Sequence, residues 1–485
     1  MKLKNLLDKI ESVGFSGDAK VTFEGVVYDS RKVKPGDLFV AVAGHQVDGA
    51  EFITQAVAAG ASVVVSESCL NLGSGVAHVQ VADSRKALAE ISAFFYGDLS
   101  RKMKVIGVTG TNGKTTTTYM IREILREAGH KTGLLGTVAY EIGGRSIPAL
   151  RTTPEAPDIH SLFARMDEAG CEYVVMEVSS HALALKRVEG ITFSISVFTN
   201  LTQDHLDYHH DMETYFDVKA ELFRTMEKKR GGSAVINVDD SWGRRLIGEK
   251  QIEAEIVSYG FHEKATASVA DASVRVDGTR FHVSTPWGDA AIHLQLLGRF
   301  NIHNALAALC VGGLCGIDLK TVVRALEKIA AVPGRLEAVP NRKHKNVFVD
   351  YAHTDDALSN VLSTLREICK GKLVVVFGCG GNRDRGKREK MGRVAATLAD
   401  FSIVTSDNPR DEEPKTIVAD ILQGFERQER VEVVLDRRDA IAKGIAMLGR
   451  KDVLLVAGKG HETYQEIKGA VIPFDDRETV RELIG

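Results

Sequence analysis

Short apolar runs alternate with amphipathic stretches along most of the chain. Leu38-Phe39-Val40-Ala41-Val42 and Ser62-Val63-Val64-Val65 predict strands, and Val26–Arg31 predicts a strand running into a polar turn. Pro35-Gly36-Asp37 is a turn, and Gly44–Gly49 is a glycine-bounded loop. Helices are predicted from about Ala50 to Ala59 and from Ser84 to Phe95, and Gly97-Asp98 with Ser100 reads as a linker. A second series opens with Val105-Ile106-Gly107-Val108-Thr109 and breaks at the turn-rich tetrad Gly110-Thr111-Asn112-Gly113. It resumes at Lys114 as a helix, with Met120, Ile121, Ile124, Leu125 and Ala128 at helical spacing and Gly129 as the stop. Apolar runs at 173–178, 195–199 and 234–238 have helical stretches between them, which predicts a mostly parallel sheet. Residues 253–297 alternate apolar and polar positions and predict antiparallel strands appended to that sheet. An Ala/Leu-rich helix is predicted over Asn304 to Cys315, and Pro333-Gly334-Arg335 breaks the pattern. Strands at 347–350, 373–377, 403–405, 431–435 and 453–457 repeat the theme, several ending on Gly-rich polar loops. The predicted fold class is α/β in three domains. These are residues 1–100, a central 101–332 with a phosphate-loop sheet, and a Rossmann-like 333–485.

Length agrees, since 485 residues favour roughly three domains. An apolar share of 44% and a charged share of 26% are those of a soluble globular chain. A net charge of −3 supplies no global field for nucleic acid or an anionic membrane. No apolar run is long enough to span a bilayer, and the first residues lack the apolar core of a signal peptide. The six cysteines show no Cys-x-x-Cys spacing, which predicts free thiols in a reducing cytoplasm.

Strand, glycine loop and helix together favour an anion: loop N–H groups and the helix N-terminus point at it, and Lys114 adds positive charge. Thr115 places a hydroxyl where Mg²⁺ on a nucleotide would sit. The full Walker spacing is not met, because Val108 stands where its first glycine is expected. The plain alternative is a tight strand-to-helix turn with no ligand. Glu177, at the end of an apolar run, either holds Mg²⁺ or caps the Ser179-Ser180 turn at the surface. His205 and His209 have a spacing that could suggest zinc, but the zincin glutamate is missing. Lys219, on a helix whose other face is apolar, reads from spacing alone as a snorkelling lysine. Asn301, His303 and Asn304 form a polar knot at a helix start; N-capping explains one, and adenine contacts could explain the others. Arg335 and Asp350 suit nucleotide phosphate and ribose, against a linker salt bridge for Arg335. Asp407-Asn408-Pro409-Arg410, Arg383 and Glu462 lie on strand-end loops. Their charges could hold a zwitterion, or could be solvated loop charge.

In order along nearly the whole chain, several stretches resemble the ATP-dependent Mur ligases, which build the peptide of bacterial peptidoglycan. They are Thr109–Thr116, Glu177–His181, Thr199–Asp207, Val218-Lys219-Ala220, Gly298–Asn301, Pro333-Gly334-Arg335 and Asp350–His353. Asp407–Arg410 looks like the signature of the member that adds meso-diaminopimelate to UDP-N-acetylmuramoyl-L-alanyl-D-glutamate. Lysine-adding relatives lack its arginine. The resemblance implies a UDP-muramoyl domain (1–100), an ATP domain (101–332) and an amino-acid domain (333–485). It implies ATP on Gly110, Thr111, Asn112, Gly113, Lys114, Thr115, Thr116, Asn301, His303, Arg335 and Asp350. Two Mg²⁺ ions would involve Thr115, Glu177, His205 and Lys219, the last as a carbamate derived from CO₂, which replaces the snorkelling reading. Ser30, His45, Gln46, Thr152, Thr153, Ser179 and Arg187 match positions for the UDP-muramoyl dipeptide. Arg383, Asp407, Asn408, Pro409, Arg410, Gly458 and Glu462 match those for diaminopimelate. Lys114, Lys219, His205, Glu177 and His353 form the expected catalytic set, with His353 or Asp350 orienting or deprotonating the amine. A cytoplasmic monomer with no nucleic-acid partner and no membrane insertion is expected. The competing readings are an L-lysine-adding ligase, a folylpolyglutamate synthase-like ligase and a nucleotide-binding protein without catalysis.

Overall fold

Strands buried on both faces should read as unbroken apolar runs, and the N-terminal sheet bears this out. Its order is Ser12–Ser16, Ala77–Val81, Val63–Ser66, Leu38–Val40, Val26–Val27, parallel except for the antiparallel Ser12–Ser16 edge. Leu38, Val40, Val63 and Val65 pack on one face with Leu88 and Ile91; Phe39, Ala41 and Val64 pack on the other with Ile53 and Ala56. The computed structural model describes residues 1–44, 48–73, 75–226, 232–275 and 277–485. The chain divides into two units: residues 1–107, 130–196 and 221–232 form the first, and 108–129, 197–220 and 233–485 the second.

In the first unit, helix Ser84–Phe95 forms as predicted, capped by the Asp83 side chain accepting from Lys86 N. The helix expected over about 50–59 is a 3₁₀ turn, Gly49–Phe52, followed by helix Ile53–Ala58. Only Val26–Val27 of the strand predicted to reach Arg31 is extended. Asp29 caps the 3₁₀ turn Ser30–Lys32 and ends it. Tyr173–Glu177 lies parallel to Thr132–Leu135, which continues antiparallel through Ala139–Ile142 and Arg145–Pro148.

In the second unit, Ser233–Asn237 pairs in parallel with Glu255–Gly260, and that strand pairs in parallel with the start of Ala267–Arg275. Pairing turns antiparallel only from there, through Gly278–Thr285 and Gly288–Leu294. The expectation of antiparallel strands throughout 253–297 is thus corrected at its first strand. Alternation reports a half-buried face, whereas direction depends on the connection, here through helix Ser241–Ile247. Helix Arg299–Leu314 starts five residues before the predicted Asn304, so Asn301, His303 and Asn304 lie inside it. Gly298, at φ 100°, is its N-cap without a side-chain bond, and the capping role expected of one of the three is overturned.

The C-terminal sheet has the order Glu337–Ala338, Asn346–Asp350, Val453–Ala457, Leu373–Phe377, Phe401–Val404, Val431–Val433. All pairs are parallel except the first. Helices cover both faces: Leu362, Met391 and Ile421 pack on one, and Ile441 and Val480 on the other. Asp350, Gly378, Asp407 and Gly458 therefore fall at or just beyond carboxyl ends, where open α/β sheets bind ligands. A hairpin, Tyr464–Ile467 with Ala470–Pro473, follows the last loop and was not predicted.

Candidate active site

The phosphate loop joins strand Lys104–Thr109 to helix Lys114–Glu127. Two of its positions admit only glycine. A Cβ on Gly110 (φ 147°) would stand 1.9 Å from Thr199 Oγ1, and one on Gly113 (φ 86°) 2.4 Å from Asn304 Oδ1. The segment after Phe198 holds the loop: Asn112 N donates to Asn200 Oδ1 (2.9 Å), and Thr199 Oγ1 donates to Asn112 O (2.6 Å). Lys114 Nζ lies back over the loop, donating to Gly110 O (2.9 Å) and Thr111 O (2.8 Å). Thr115, 2% exposed, accepts from Arg335 Nη2 at 2.8 Å. Arg335 thus stands at the phosphate loop, although 220 residues separate the two in sequence.

Beside the loop opens a cavity of about 460 Å³, lined by Asn112, Phe261, Arg299, His303, Arg335 and Asp350 among others. His303 Nε2 meets Asp239 Oδ2 at 2.8 Å, and its ring stands edge-on to Phe261, centroids 5.1 Å apart. Arg299 covers the same Phe261 ring at 5.1 Å. An aromatic face under a guanidinium, with an imidazole at its edge, suits a planar base. Asn304 joins Thr117 Oγ1 (3.2 Å) to Asn301 Oδ1 (3.0 Å), and Asn301 donates to Leu297 O (2.8 Å). Asn301 therefore props Asn304. Asp350 accepts from the backbone N–H groups of Leu336 and Ala352, both at 2.6 Å. Burial lifts its carboxyl to about 6, against the pull of Arg335 and those two donors. Sequence reasoning missed Phe261, Arg299 and Asp239. Phe261 follows directly on the carboxyl end of a strand, a signal that was available for it.

Lys219 is 1% exposed. Its Nζ donates to Gly110 O (3.1 Å), the carbonyl that Lys114 also uses, and lies 4.8 Å from the Tyr215 ring centroid. Burial first, then Lys114, pushes its amine well below the usual lysine range, with Asp204 opposing. Among the described residues no carboxylate pairs with it. Asp204 accepts from His205 N (2.9 Å), and His205 Nε2 stands 3.3 Å from its Oδ2. Burial raises Asp204, but His205, His353 and Lys387 outweigh that and hold it below the carboxylate range. Burial and then Lys387 push His353 down to about 4, so the ring is neutral at pH 7 and its Nδ1–H donates to Tyr351 O (2.8 Å). Among the described residues no three His, Cys, Asp or Glu side chains are grouped to hold a metal. His209 stacks on Tyr215 with centroids 4.9 Å apart.

The loops past the C-terminal strands do converge. Asn408 Nδ2 donates to Glu462 Oε2 (2.9 Å), and Lys459 Nζ donates to both Asn408 Oδ1 and Glu462 Oε2 (3.1 Å each). Burial raises the Glu462 carboxyl, with Lys459 opposing. Arg410, at φ 51°, is aimed by Glu466 Oε2 (3.0 Å) and Gly381 O (2.8 Å). A Cβ on Gly458 would stand 2.4 Å from Asp407 Oδ2, so the two loops interlock. Arg437, paired with Asp476 at 2.7 Å where both are buried, props the cluster from below through Ala457 O and Ser406 O. Arg383 donates to Asn382 O (3.2 Å) and stands at the exposed rim.

In the first unit, a cavity of about 1050 Å³ is lined by Tyr28, Ser30, Gln55, Arg85, Tyr140 and Arg165 among others. Ser30 lines this cavity and donates to Gln55 Oε1 (2.9 Å). His45 and Gln46 lie outside the described residues. The other predicted positions form a hydrogen-bonded chain. Thr152 meets Thr137 (3.0 Å), Thr153 Oγ1 donates to Glu177 O (2.8 Å) and accepts from Ser179 N (3.1 Å), and Arg187 donates to Thr153 O (3.1 Å). Arg187 also pairs with Glu155 at 2.8 Å. Glu177 is 1% exposed and accepts from Thr137 N (2.8 Å) and Thr137 Oγ1 (2.9 Å). The alternative of a surface glutamate capping the next turn is overturned, because Ser179 itself caps that helix by accepting from Ala182 N.

Three family models match in order: the Mur ligase family catalytic domain over residues 22–96, the Mur ligase middle domain over 108–312, and the Mur ligase glutamate ligase domain over 334–460. The chain is similar to proteins named UDP-N-acetylmuramoyl-L-alanyl-D-glutamate–2,6-diaminopimelate ligase. The one from Clostridium tetani is 44% identical over 100% of this chain and 99% of that protein. The one from Clostridium botulinum is 45% identical over 99% of each. A solved structure of such a ligase superposes with a TM-score of 0.71 at 34% identity, covering 100% of this chain and 98% of that one. A Mycobacterium tuberculosis folylpolyglutamate synthase complexed with ADP and AMPPCP shares the fold at 20% identity and a TM-score of 0.65, over 78% of this chain and 92% of that one. Matched from its first domain to its last, the chain belongs to the Mur ligase family.

Proposed function

We propose that this chain adds meso-diaminopimelate to the D-glutamate of UDP-N-acetylmuramoyl-L-alanyl-D-glutamate, using ATP, in peptidoglycan precursor synthesis. The observation that carries the diaminopimelate reading is the cluster formed by Asp407, Asn408, Arg410 and Glu462 at the carboxyl ends of one parallel sheet. It offers acids for an ammonium and a guanidinium for a carboxylate, the two ends of a zwitterion. The incoming amino acid belongs in residues 333–485, ATP in 101–332 and the UDP-muramoyl dipeptide against 1–100.

The γ-phosphoryl group of ATP passes to the glutamate γ-carboxylate, giving an acyl phosphate and ADP. The diaminopimelate amine then attacks the acyl carbon, and phosphate leaves as the amide forms. The phosphate-loop N–H groups and Lys114 hold the phosphates and offset the repulsion between two anions. Phe261, Arg299 and His303 hold the base. His353, neutral with its Nδ1–H committed to Tyr351 O, presents Nε2 as an acceptor that orients the amine or receives its proton.

In the second unit, Thr115, His205 and Lys219 are the residues that would hold Mg²⁺. Thr115 supplies a hydroxyl at the helix N-terminus and His205 an imidazole, while burial pushes the Lys219 amine well below the usual lysine range, toward the neutral form that takes up CO₂ to become a carbamate. Bound there, Mg²⁺ would screen phosphate charge and act as a Lewis acid. The protein works as a monomer in the cytoplasm.

Phosphate release from ATP and Mg²⁺ with the UDP-dipeptide, comparing meso-diaminopimelate with L-lysine, tests the reading. Release with diaminopimelate alone is expected. Release with lysine would discard the specificity argument, and release with neither would favour a binding protein without catalysis.

A further inference from the structure

Three segments of the second unit that are far apart in sequence meet at one carboxylate, Asp356. It is the second residue of helix Asp355–Ile368, whose N-cap is Thr354. Its Oδ2 accepts from Asn112 Nδ2 at 2.8 Å, from Asn360 Nδ2 at 3.3 Å and from Thr202 Oγ1 at 3.4 Å. Asn112 lies 244 residues earlier, on the phosphate loop. The backbone of Asn112 is fixed from the other side by Thr199 and Asn200. The loop is therefore clamped between the 199–202 segment and the first turn of a C-terminal helix.

A simpler role would be to complement the helix dipole, but Asp355 already places an anion in that first turn. Asp356 is instead partly buried. Burial raises its carboxyl, with the donors from Thr202, Asn112 and Asn360 opposing, and among the described residues no cation pairs with it. It lines the same cavity as Asn112, His303 and Arg335. A carboxylate facing a site for a triphosphate is costly unless its charge is occupied, and here the Asn112 amide occupies it.

We infer that Asp356 is a positioning residue for ATP, acting through Asn112 to hold the phosphate loop in its anion-binding form. The inference rests on reading the cavity as the ATP site. Without this acceptor, the Asn112 amide keeps only its longer bond to Thr202 Oγ1 (3.4 Å) and swings toward the space meant for phosphate, and the loop N–H groups lose their shared aim. Docking of helix Asp355–Ile368 then becomes a condition for a competent phosphate loop, so the C-terminal sheet that presents the incoming amine also readies ATP.

The full chain is titrated with Mg²⁺–ADP and a non-hydrolysable ATP analogue, as wild type, Asp356→Ala, Asp356→Asn, Asn112→Ala and the Asn112→Ala/Asp356→Ala double variant. Asp356→Ala should weaken nucleotide binding about tenfold, the scale of one hydrogen bond to a charged group. Asp356→Asn keeps a carbonyl acceptor and should bind close to wild type. The double variant should be no weaker than Asn112→Ala alone, and the melting temperature and the KM for the UDP-dipeptide should not move. The inference is overturned if Asp356→Ala binds like wild type, if Asp356→Asn is as weak as Asp356→Ala, or if the double losses add in full. It is equally overturned if the melting temperature falls while the KM values for ATP and for the UDP-dipeptide both rise, the mark of a merely structural role. A wild-type chain that binds no nucleotide overturns the ATP reading as well, whereas normal wild-type binding with an unchanged Asp356→Ala overturns the inference alone.

Discussion

Lys219 lies on helix Met212–Arg224 with its amine shut away from water, and among the described residues no carboxylate is paired with it. An amine in that setting is stable when neutral, and a neutral amine adds CO₂ to give a carbamate. Turnover should rise with bicarbonate at fixed pH and fall in CO₂-free buffer, with the mass of one CO₂ gained on Lys219. Lys219→Arg, which cannot form the carbamate, should be inactive in both buffers; equal wild-type rates with and without bicarbonate would refute the carbamate. Arg410 makes the complementary case, a charge aimed by Glu466 and Gly381 with further N–H groups to offer. A substrate lacking the distal carboxylate leaves those further N–H groups of the guanidinium without a partner. Arg410→Ala should therefore lower kcat/KM for diaminopimelate by about 10³-fold while leaving the KM for ATP unchanged. Equal losses for both substrates would remove Arg410 from the amino-acid pocket.

The phosphate-loop element depends on backbone shape as much as on its lysine. Gly113 is the N-cap of helix Lys114–Glu127 at φ 86°, and a Cβ there meets Asn304 Oδ1 at 2.4 Å. Gly129, just past the same helix, has φ 88° with nothing within 4 Å. Both Gly→Ala substitutions carry the left-handed strain of about 1 kcal/mol. Only Gly113→Ala also pushes Asn304 off Thr117 and deforms the loop. Thermal melting should show a loss in both variants, larger for Gly113→Ala, and nucleotide titration should show a loss in Gly113→Ala alone. Helix Arg299–Leu314 shows the same dependence, since its buried asparagines complete the loop's support from a distant part of the chain.

Across the whole molecule, acid sensitivity has identifiable sources. His160, in the first unit, is fully buried with neither ring nitrogen hydrogen-bonded, and burial holds it down at about 4. His353, in the second, is also at about 4. A histidine depressed below its unfolded value near 6.5 adds stability that is complete above pH 6.5 and is lost as pH falls through 4. Asp350, lifted to about 6, acts oppositely: it favours folding at low pH and loses that contribution as pH rises through 6. Two histidines outweigh one aspartate, so stability should decline from pH 6.5 to 4. His160→Leu removes one source and a pair of unsatisfied nitrogens. It should flatten that decline by on the order of 3 kcal/mol, and stability at pH 7 should not fall. Melting curves across this range check it, and a decline of unchanged steepness in the variant would acquit His160.

Strand and helix positions were legible where burial imposed an unbroken apolar run or a helical period, whereas the buried strands Ala77–Val81 and Thr132–Leu135 were not predicted, because His78 and Gln80 interrupt the first and Thr132-Gly133 shortens the apolar run of the second. Leu373–Phe377 and Val453–Ala457 are buried on both faces and read as unbroken apolar runs, and Ser84–Phe95 carries its own cap. Edge strand Ser12–Ser16 and hairpin Tyr464–Pro473 escaped because they are largely exposed and no core imposes a pattern on them. Glycine loop, lysine and threonine announced a phosphate site by themselves, because local backbone geometry requires those residue types in that order. The sequence could not say that Lys219 is buried with no carboxylate paired to it among the described residues, that Asn301 props Asn304, or that Phe261 and Arg299 stack in the cavity. Nor could it show that Asp356 reaches a loop 244 residues away. Period and turn chemistry are local properties and are written along the chain; burial, charge pairing and the convergence of loops arise only when distant segments pack, so the tertiary structure alone decided them.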